Sequence, residues 1–244
     1  MKEILQDIVS HTHNLGFLNV VRITGDKAET RFDSINDDRT VIMYAKANKV
    51  YNEMKGVFGM PQLSKLKYLL DGSEYKEDAV IEIVMDERNG QNIPTGIHFE
   101  NKDGDFKNDY RFMNTAAINE KLKTVKFRGA NWDVEVTPSL QAIQRFQFQA
   151  GANNEHVTFL VTTENGNLKF IFGDQSTHGG EFIFATGIKG KLNKAYTWPV
   201  GAVLSILKIA DVNNCTLSIS DSGAFQITMD SGLATYQYLI PAFA

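Results

Sequence analysis

The side chains best suited to chemistry here are five histidines and one cysteine, and their spacing works against most of what they could do. His11 and His13 stand two apart in a helix-type stretch. A helical metal pair needs a spacing of three or four, so that both imidazoles meet on one face. His98, His156 and His178 stand singly in strand-like or turn-like segments. Cys215 has no second cysteine with which to form a disulfide or a cysteine-based zinc site. The acids cluster in turn-like sequence, at Asp86-Glu87 and at Asp103 to Asp105, where solvation accounts for them. There is no Gly-x-x-x-x-Gly-Lys-Ser/Thr loop, no Gly-x-Gly-x-x-Gly between a strand and a helix, and no Gly-x-Ser-x-Gly. The expectation is a protein without an active site, a cofactor or a metal.

Cations on helical faces offer a different chemistry. Lys65, Lys67, Arg145 and Lys208 fall opposite the apolar stripes of three helical segments, and Lys2 and His13 fall near the polar side of a fourth. If these faces share one side of a sheet, their cations make one surface able to meet phosphates, though Glu3 and Asp7 dilute it. The whole chain is acidic, with 25 Lys and Arg against 29 Asp and Glu and a net charge of −4. That argues against a protein that coats nucleic acid, but not against one with cations confined to an inner surface.

The elements that must carry these residues come in a recurring order. From Pro138 the segment PSLQAIQRFQFQAG reads as a helix with Leu140, Ile143 and Phe146 on its apolar side, Pro138 in its first turn and Gly151 just past its end. Two strand-like runs follow, HVTFLVTTE and NLKFIFGD, joined at Asn165-Gly166, the turn pair that tolerates positive φ at both central positions. GEFIFATGI adds another strand.

The same order recurs three times more. Lys2 to Leu15 reads as a helix closed by Gly16, followed by FLNVVRI, AETRFDSI and RTVIMYAKA. VYNEMKGVF leads into a helix carrying Leu63, Leu66, Leu69 and Leu70, then DAVIEIVM, TGIHFEN and KNDYRFM, with turns at Asn89-Gly90 and Asp103-Gly104. AYTWPV leads into a helix with Val203, Ile206, Leu207 and Ala210 inward, then NCTLSIS, GAFQITM and ATYQYLIPA. Asn114 to Arg128 fits neither period and reads as an exposed connector between halves. A repeat of about 60 residues implies repeated architecture. The fold class is α+β: two similar domains, 1–113 and 129–244, each of two helix-plus-antiparallel-strand units. No apolar run approaches the roughly 20 residues of a membrane span, and the first residues lack the pattern of a secretory signal, so a soluble cytoplasmic protein is expected.

In this order of elements, in the helix and Glu164-Asn165-Gly166 hairpin of 137–172, in the connector 114–127 and in the tail from Ala234 to Ala242, the chain resembles the DNA sliding clamps. These are the processivity factors of T4-type bacteriophages and their relative, proliferating cell nuclear antigen. The resemblance implies a DNA clamp fold in which three protomers close head to tail into a ring, strands outside and helices inside. It implies that the chain encircles duplex DNA without reading sequence, with Lys65, Lys67, Arg145, Lys208, Lys2 and His13 facing it. It also implies a replicative DNA polymerase as partner and an ATP-dependent clamp loader.

By the same likeness, partners dock in an apolar pocket of Ile42, Ile118, Leu122, Leu239, Ile240, Pro241 and Phe243, and subunits join at Lys107 to Met113 and Gly180 to Ile188. Tyr110, Phe112, Phe182 and Phe184 are the interface side chains it suggests. Two other readings stand beside it: a β-rich phage structural or interaction component, and a carbohydrate-binding protein using Trp132 and Trp198.

Overall fold

The computed structural model describes every residue except Asn89, 124–128, Gln175, Thr177 and Ala244, and of Arg88 and Gln91 only the backbone. One side of the expected Asn89-Gly90 turn and the end of the connector therefore lie outside the described residues. The chain divides into two compact units, Met1–Lys126 with Ser231–Tyr236, and Phe127–Asp230 with Gln237–Ala244.

The first unit runs α1 (Lys2–Ser10), β1 (Val21–Gly25), β2 (Thr30–Ile35), β3 (Ile42–Ala47), β4 (Gly56–Met60), α2 (Leu63–Asp71), β5 (Val80–Arg88), β6 (Gln91–Glu100), β7 (Lys107–Arg111) and α3 (Thr115–Lys121). Its strands form two antiparallel arrays, β4-β1-β2-β3 and β5-β6-β7. The helices α1 and α2 pack on one another and bury Ile4, Leu5, Ile8 and Val9 from one, and Leu63, Leu66, Leu69 and Leu70 from the other.

Three sequence expectations need correction here. The first helix stops at Ser10; a separate 3-10 turn, His13–Leu15, follows and ends on Gly16 at φ 88°. Strand structure begins at Val21 instead of Phe17, and at Gly56 instead of Val50, where a 3-10 turn over Asn52–Met54 intervenes. The connector opens with a helix, α3, because Asn114 Oδ1 accepts from Ala117 N at 2.9 Å and caps its first turn.

The second unit runs β8 (Val134–Val136), α4 (Leu140–Ala152), β9 (Thr158–Glu164), β10 (Asn167–Phe172), β11 (Gly180–Thr186), β12 (Tyr196–Pro199), α5 (Val200–Ile209), β13 (Cys215–Ser220), β14 (Ala224–Asp230) and β15 (Ala234–Pro241), the last beginning in the first unit. The strand ahead of each helix is exchanged: β12 pairs with β9, and β8 pairs with β13. In the first unit β4, ahead of α2, pairs likewise with β1. The β9–β10 turn has Asn165 at φ 51° and Gly166 at φ 74°, as its sequence requires.

In α4, Ser139 caps the first turn by accepting from Ala142 N at 3.1 Å, so Pro138 precedes the helix, and Gly151 lies inside it. Leu140 is 61% exposed, against the expectation that it lines the core. At 100° per residue it sits about 120° from Phe146, outside the arc that Ala142, Ile143 and Phe146 bury. Phe146 is the hub of that core, its ring 4.8 Å from Phe159 and 5.4 Å from Phe170. Burial of such a side chain contributes about 1.5–3 kcal/mol.

Candidate nucleic-acid interface

The expected DNA-facing cations separate into two groups. On α2, Lys65 is exposed beside Ser64, while Lys67 is held by Asp71 one turn on at 2.6 Å, an i,i+4 pair that spends part of its charge locally. On α5, Lys208 is exposed in the last turn, where a cation also suits the helix dipole. Lys2 is half-buried and donates to the Tyr75 carbonyl at 2.5 Å, so its ammonium is tied to the turn after α2. His13 lies on the 3-10 turn with Nδ1 buried and, among the described residues, without a hydrogen-bond partner, which turns that atom inward.

Arg145 is exposed on the flank of α4. It lines two clefts of about 420 and 380 Å3 that run beside β11, sharing the first with Glu164, Lys169 and Glu181 and the second with Ser139 and Gln141. It therefore borders the β11 edge as well as lying on its helix.

The exposed side of α4 is mostly uncharged, with Gln141, Gln144, Gln147 and Phe148. Phe148 is 73% exposed, and Tyr68 on α2 is 81% exposed. The sequence signal for Phe148 is the Gln-Arg-Phe-Gln-Phe-Gln run of 144–149, which puts its two phenylalanines two apart and hence on opposite sides of a helix.

The suggested pocket residues are largely inside the protein. In the first unit Ile118 and Leu122 join Val20 in a cluster flanked by Ile35, Val57 and Met113. Ile42 and Leu122 line a recess of only about 20 Å3 with Arg22, Asp33 and Tyr44. A wider cleft of about 550 Å3 lies where β7 meets α3, between Phe58, Pro94, Arg111, Phe112 and Thr115, and no sequence signal pointed to it. In the second unit Leu239 and Ile240 are buried, the Ile240 carbonyl accepting from Trp198 Nε1 at 3.2 Å. Pro241 and Phe243 are exposed, and the Phe243 N–H donates to the Thr197 carbonyl at 3.0 Å.

The suggested interface side chains are likewise turned into their own units. Tyr110 is buried and donates its hydroxyl to the Pro61 carbonyl, and burial pushes its pKa up. Phe112 stacks on Phe58 at 4.4 Å. Phe184 is buried against Phe170, also at 4.4 Å, and Phe182 packs beside both. The strand alternation then leaves Lys107, Asp109 and Arg111 outward on β7, and Glu181 and Ile183 outward on β11. Each strand is hydrogen-bonded on one side only among the described residues, β7 to β6 and β11 to β10.

Two networks fix the surroundings. On β6 and β7, His98 Nδ1 is 2.9 Å from Asp109, Nε2 is 3.3 Å from Glu100, and Lys107 reaches Glu100 at 3.0 Å. The bonds to Asp109 and Glu100 raise the His98 pKa. On α1, burial works to raise the Asp7 pKa, but hydrogen bonds from His11, Tyr236 and Ser231 outweigh it and hold the pKa below its usual value. Burial also pushes the Cys215 thiol up to about 12, which makes it a poor nucleophile.

No family model matches the chain, and no curated protein matches it in sequence. Its fold does have close counterparts. A structure of A. fulgidus PCNA with the C-terminal region of FEN-1 bound superposes at a TM-score of 0.69 and 9% identity over 100% of this chain and 95% of that one. PCNA from Thermococcus kodakaraensis gives 0.70 at 10% identity, over 98% and 97%. Proliferating cellular nuclear antigen from Entamoeba histolytica gives 0.68 at 9% identity, over 100% and 94%. The chain therefore has the mixed helix and antiparallel-sheet fold of the PCNA clamps along its whole length. No described helix is long and apolar enough to cross a membrane.

Proposed function

We propose that the chain is a sliding clamp, a processivity factor that encircles duplex DNA and tethers a replicative polymerase. The observation that carries this reading is the clamp fold over the full chain, together with two strand edges that each lack a second strand among the described residues, β7 with Lys107, Asp109 and Arg111 outward and β11 with Glu181 outward. Head-to-tail pairing of β7 with β11 of the next copy sets Lys107 and Arg111 against Glu181, and a head-to-tail contact closes into a ring when its rotation allows. Three copies make the ring, with domains at 1–113 and 129–244 and the connector 114–128 between them.

A ring holds DNA by topology, so it needs few phosphate contacts, and those contacts are blind to sequence. Lys65 and Lys208 are the lining cations in this reading, with Lys67 attenuated by Asp71 and Arg145 shared with the β11 edge. The client polymerase docks at the connector and tail, and an ATP-dependent loader opens the ring. The protein itself performs no catalysis. A T4-type phage source and a place in the host cytoplasm belong to the same proposal. The test is mass in solution and particle shape: a trimeric annulus supports the reading, and a monomer at every concentration up to about 100 μM, with no annular particles, counts against it.

A second reading is favoured by Tyr68, Leu140 and Phe148, which are apolar side chains exposed on helices that a DNA channel would line with cations. In that reading the chain is a β-rich phage structural or interaction component that uses the same fold without enclosing DNA.

A further inference from the structure

The two units treat one equivalent strand differently. In the second unit the strand after α5, β13, is flanked on both sides: β14 pairs with it along one edge and β8 along the other, with Val136 opposite Leu217, Glu135 opposite Ser218 and Val134 opposite Ile219. As a result Leu217, Ser218, Ile219 and Ser220 are all buried. In the first unit the strand after α2, β5, pairs with β6 alone among the described residues.

The consequence shows in its side chains. None of Val80 to Glu87 is buried; Ile81, Ile83 and Val84 are half-buried, and Val80 and Met85 are 45% and 38% exposed. A long edge strand with apolar side chains and no second strand beside it is a template for adding another strand.

The occupied edge shows what the open one would accept. On β13 the sequence Leu217-Ser218-Ile219 receives Val134-Glu135-Val136, with the Ser218 hydroxyl donating to Glu135 at 3.0 Å and both valines buried. On β5 the triplet with the same apolar-polar-apolar pattern is Ile81-Glu82-Ile83, which has a carboxylate where β13 has a small hydroxyl. Glu82 and Glu87 are exposed, and neither has an ion-pair partner among the described residues. Like charges directly opposite each other on paired strands are destabilising, so a second copy of β5 is a poor match and a basic strand a good one.

From this geometry we infer that the open edge of β5 binds an extended segment of a partner protein, with aliphatic residues at alternate positions and Lys or Arg between them. Main-chain hydrogen bonds to β5 hold the segment, its aliphatic side chains cover Ile81 and Ile83, and its cation meets Glu82. The inference stands apart from the clamp reading, since it needs neither a ring nor DNA.

The test uses the full chain and three synthetic peptides: Lys-Val-Lys-Val-Lys, Glu-Val-Glu-Val-Glu, and the first with its central residue replaced by proline. Amide hydrogen exchange is followed along the chain, and binding by fluorescence anisotropy. The lysine peptide is expected to protect the amides of 80–87 and to bind about tenfold better than the glutamate peptide, with the proline peptide giving no protection. Glu82→Lys should invert that preference, and Glu82→Gln should remove most of it while leaving the fold intact. Absence of protection on β5, protection that ignores both Glu82 variants, or protection that rises with protein concentration when no peptide is present would each overturn the proposal. The last outcome would assign the edge to a second copy.

Discussion

Ile118 of α3 lies on Gly59 of β4 so closely that a methyl group placed on Gly59 would come 2.7 Å from Ile118 Cδ1. Around this contact Gly59 and Met113 exchange backbone hydrogen bonds at 2.9 and 2.8 Å, so the connector is stitched to the sheet before its helix begins. Gly59→Ala is therefore expected to lift α3 from β4 and raise hydrogen exchange over Thr115–Lys121. Ile118→Ala should cost about 2–4 kcal/mol in urea unfolding through the cavity it leaves. Unchanged exchange in the glycine variant would mean that the contact does not hold the connector.

Asp7 accepts from Tyr236 Oη at 2.7 Å and from Ser231 Oγ at 2.9 Å. Because its pKa is lowered in the folded chain, its contribution is present above the unfolded value of about 3.9 and is lost as the pH falls through the folded pKa. Asp7→Asn should destabilise the protein by a constant amount from about pH 5 to pH 7, and the difference should shrink in acid. Thermal melts of the two proteins across that range measure it, and a difference that persists at pH 2 would contradict the assignment.

His98 has the opposite sign. Its folded pKa is raised by Asp109 and Glu100, so its stabilisation is complete below the unfolded pKa of about 6.5 and fades as the pH rises through the folded value. His98→Gln should therefore matter at pH 6 and much less at pH 9, with the change seen first in exchange at Lys107–Arg111. An equal effect at both pH values would show that the imidazolium does not hold β7.

The cations can be separated by position. Lys65→Glu with Lys208→Glu is expected to weaken retention of DNA while leaving the oligomer intact. Arg145→Glu, beside Glu164 and Glu181 at the β11 edge, is expected to weaken self-association instead. Sedimentation and DNA retention measured on both variants decide it, and a pattern in which each variant affects the other property would reverse the roles.

The sequence carried the element order well, because turns such as Asn165-Gly166 and leucine stripes such as 63-66-69-70 are local signals. It was weaker wherever the decision was tertiary. The seven residues of α3 bury only Ile118, too little for a periodic stripe, so its sequence reads as an exposed connector. Leu140 looked apolar enough for the core, but the cap at Ser139 fixes a helix whose inward arc misses it. Tyr110 and Phe184 lie on edge strands, where sequence leaves an aromatic residue free to face either side, and the fold turns both inward. The site was the least legible part, since a cation's charge is visible in sequence while its tether, such as Lys2 on the Tyr75 carbonyl, is not.

Retention on DNA of defined topology is the most direct test of the central claim. The protein, with a compatible ATP-dependent loader supplied in the assembly step, is placed on nicked circular DNA and isolated by gel filtration, and the circle is then cut once. An encircling clamp stays with the circle through a salt wash that removes ordinary phosphate contacts, and is released when the cut creates ends. Loss in the salt wash before cutting, or equal retention on circular and linear DNA, would contradict it.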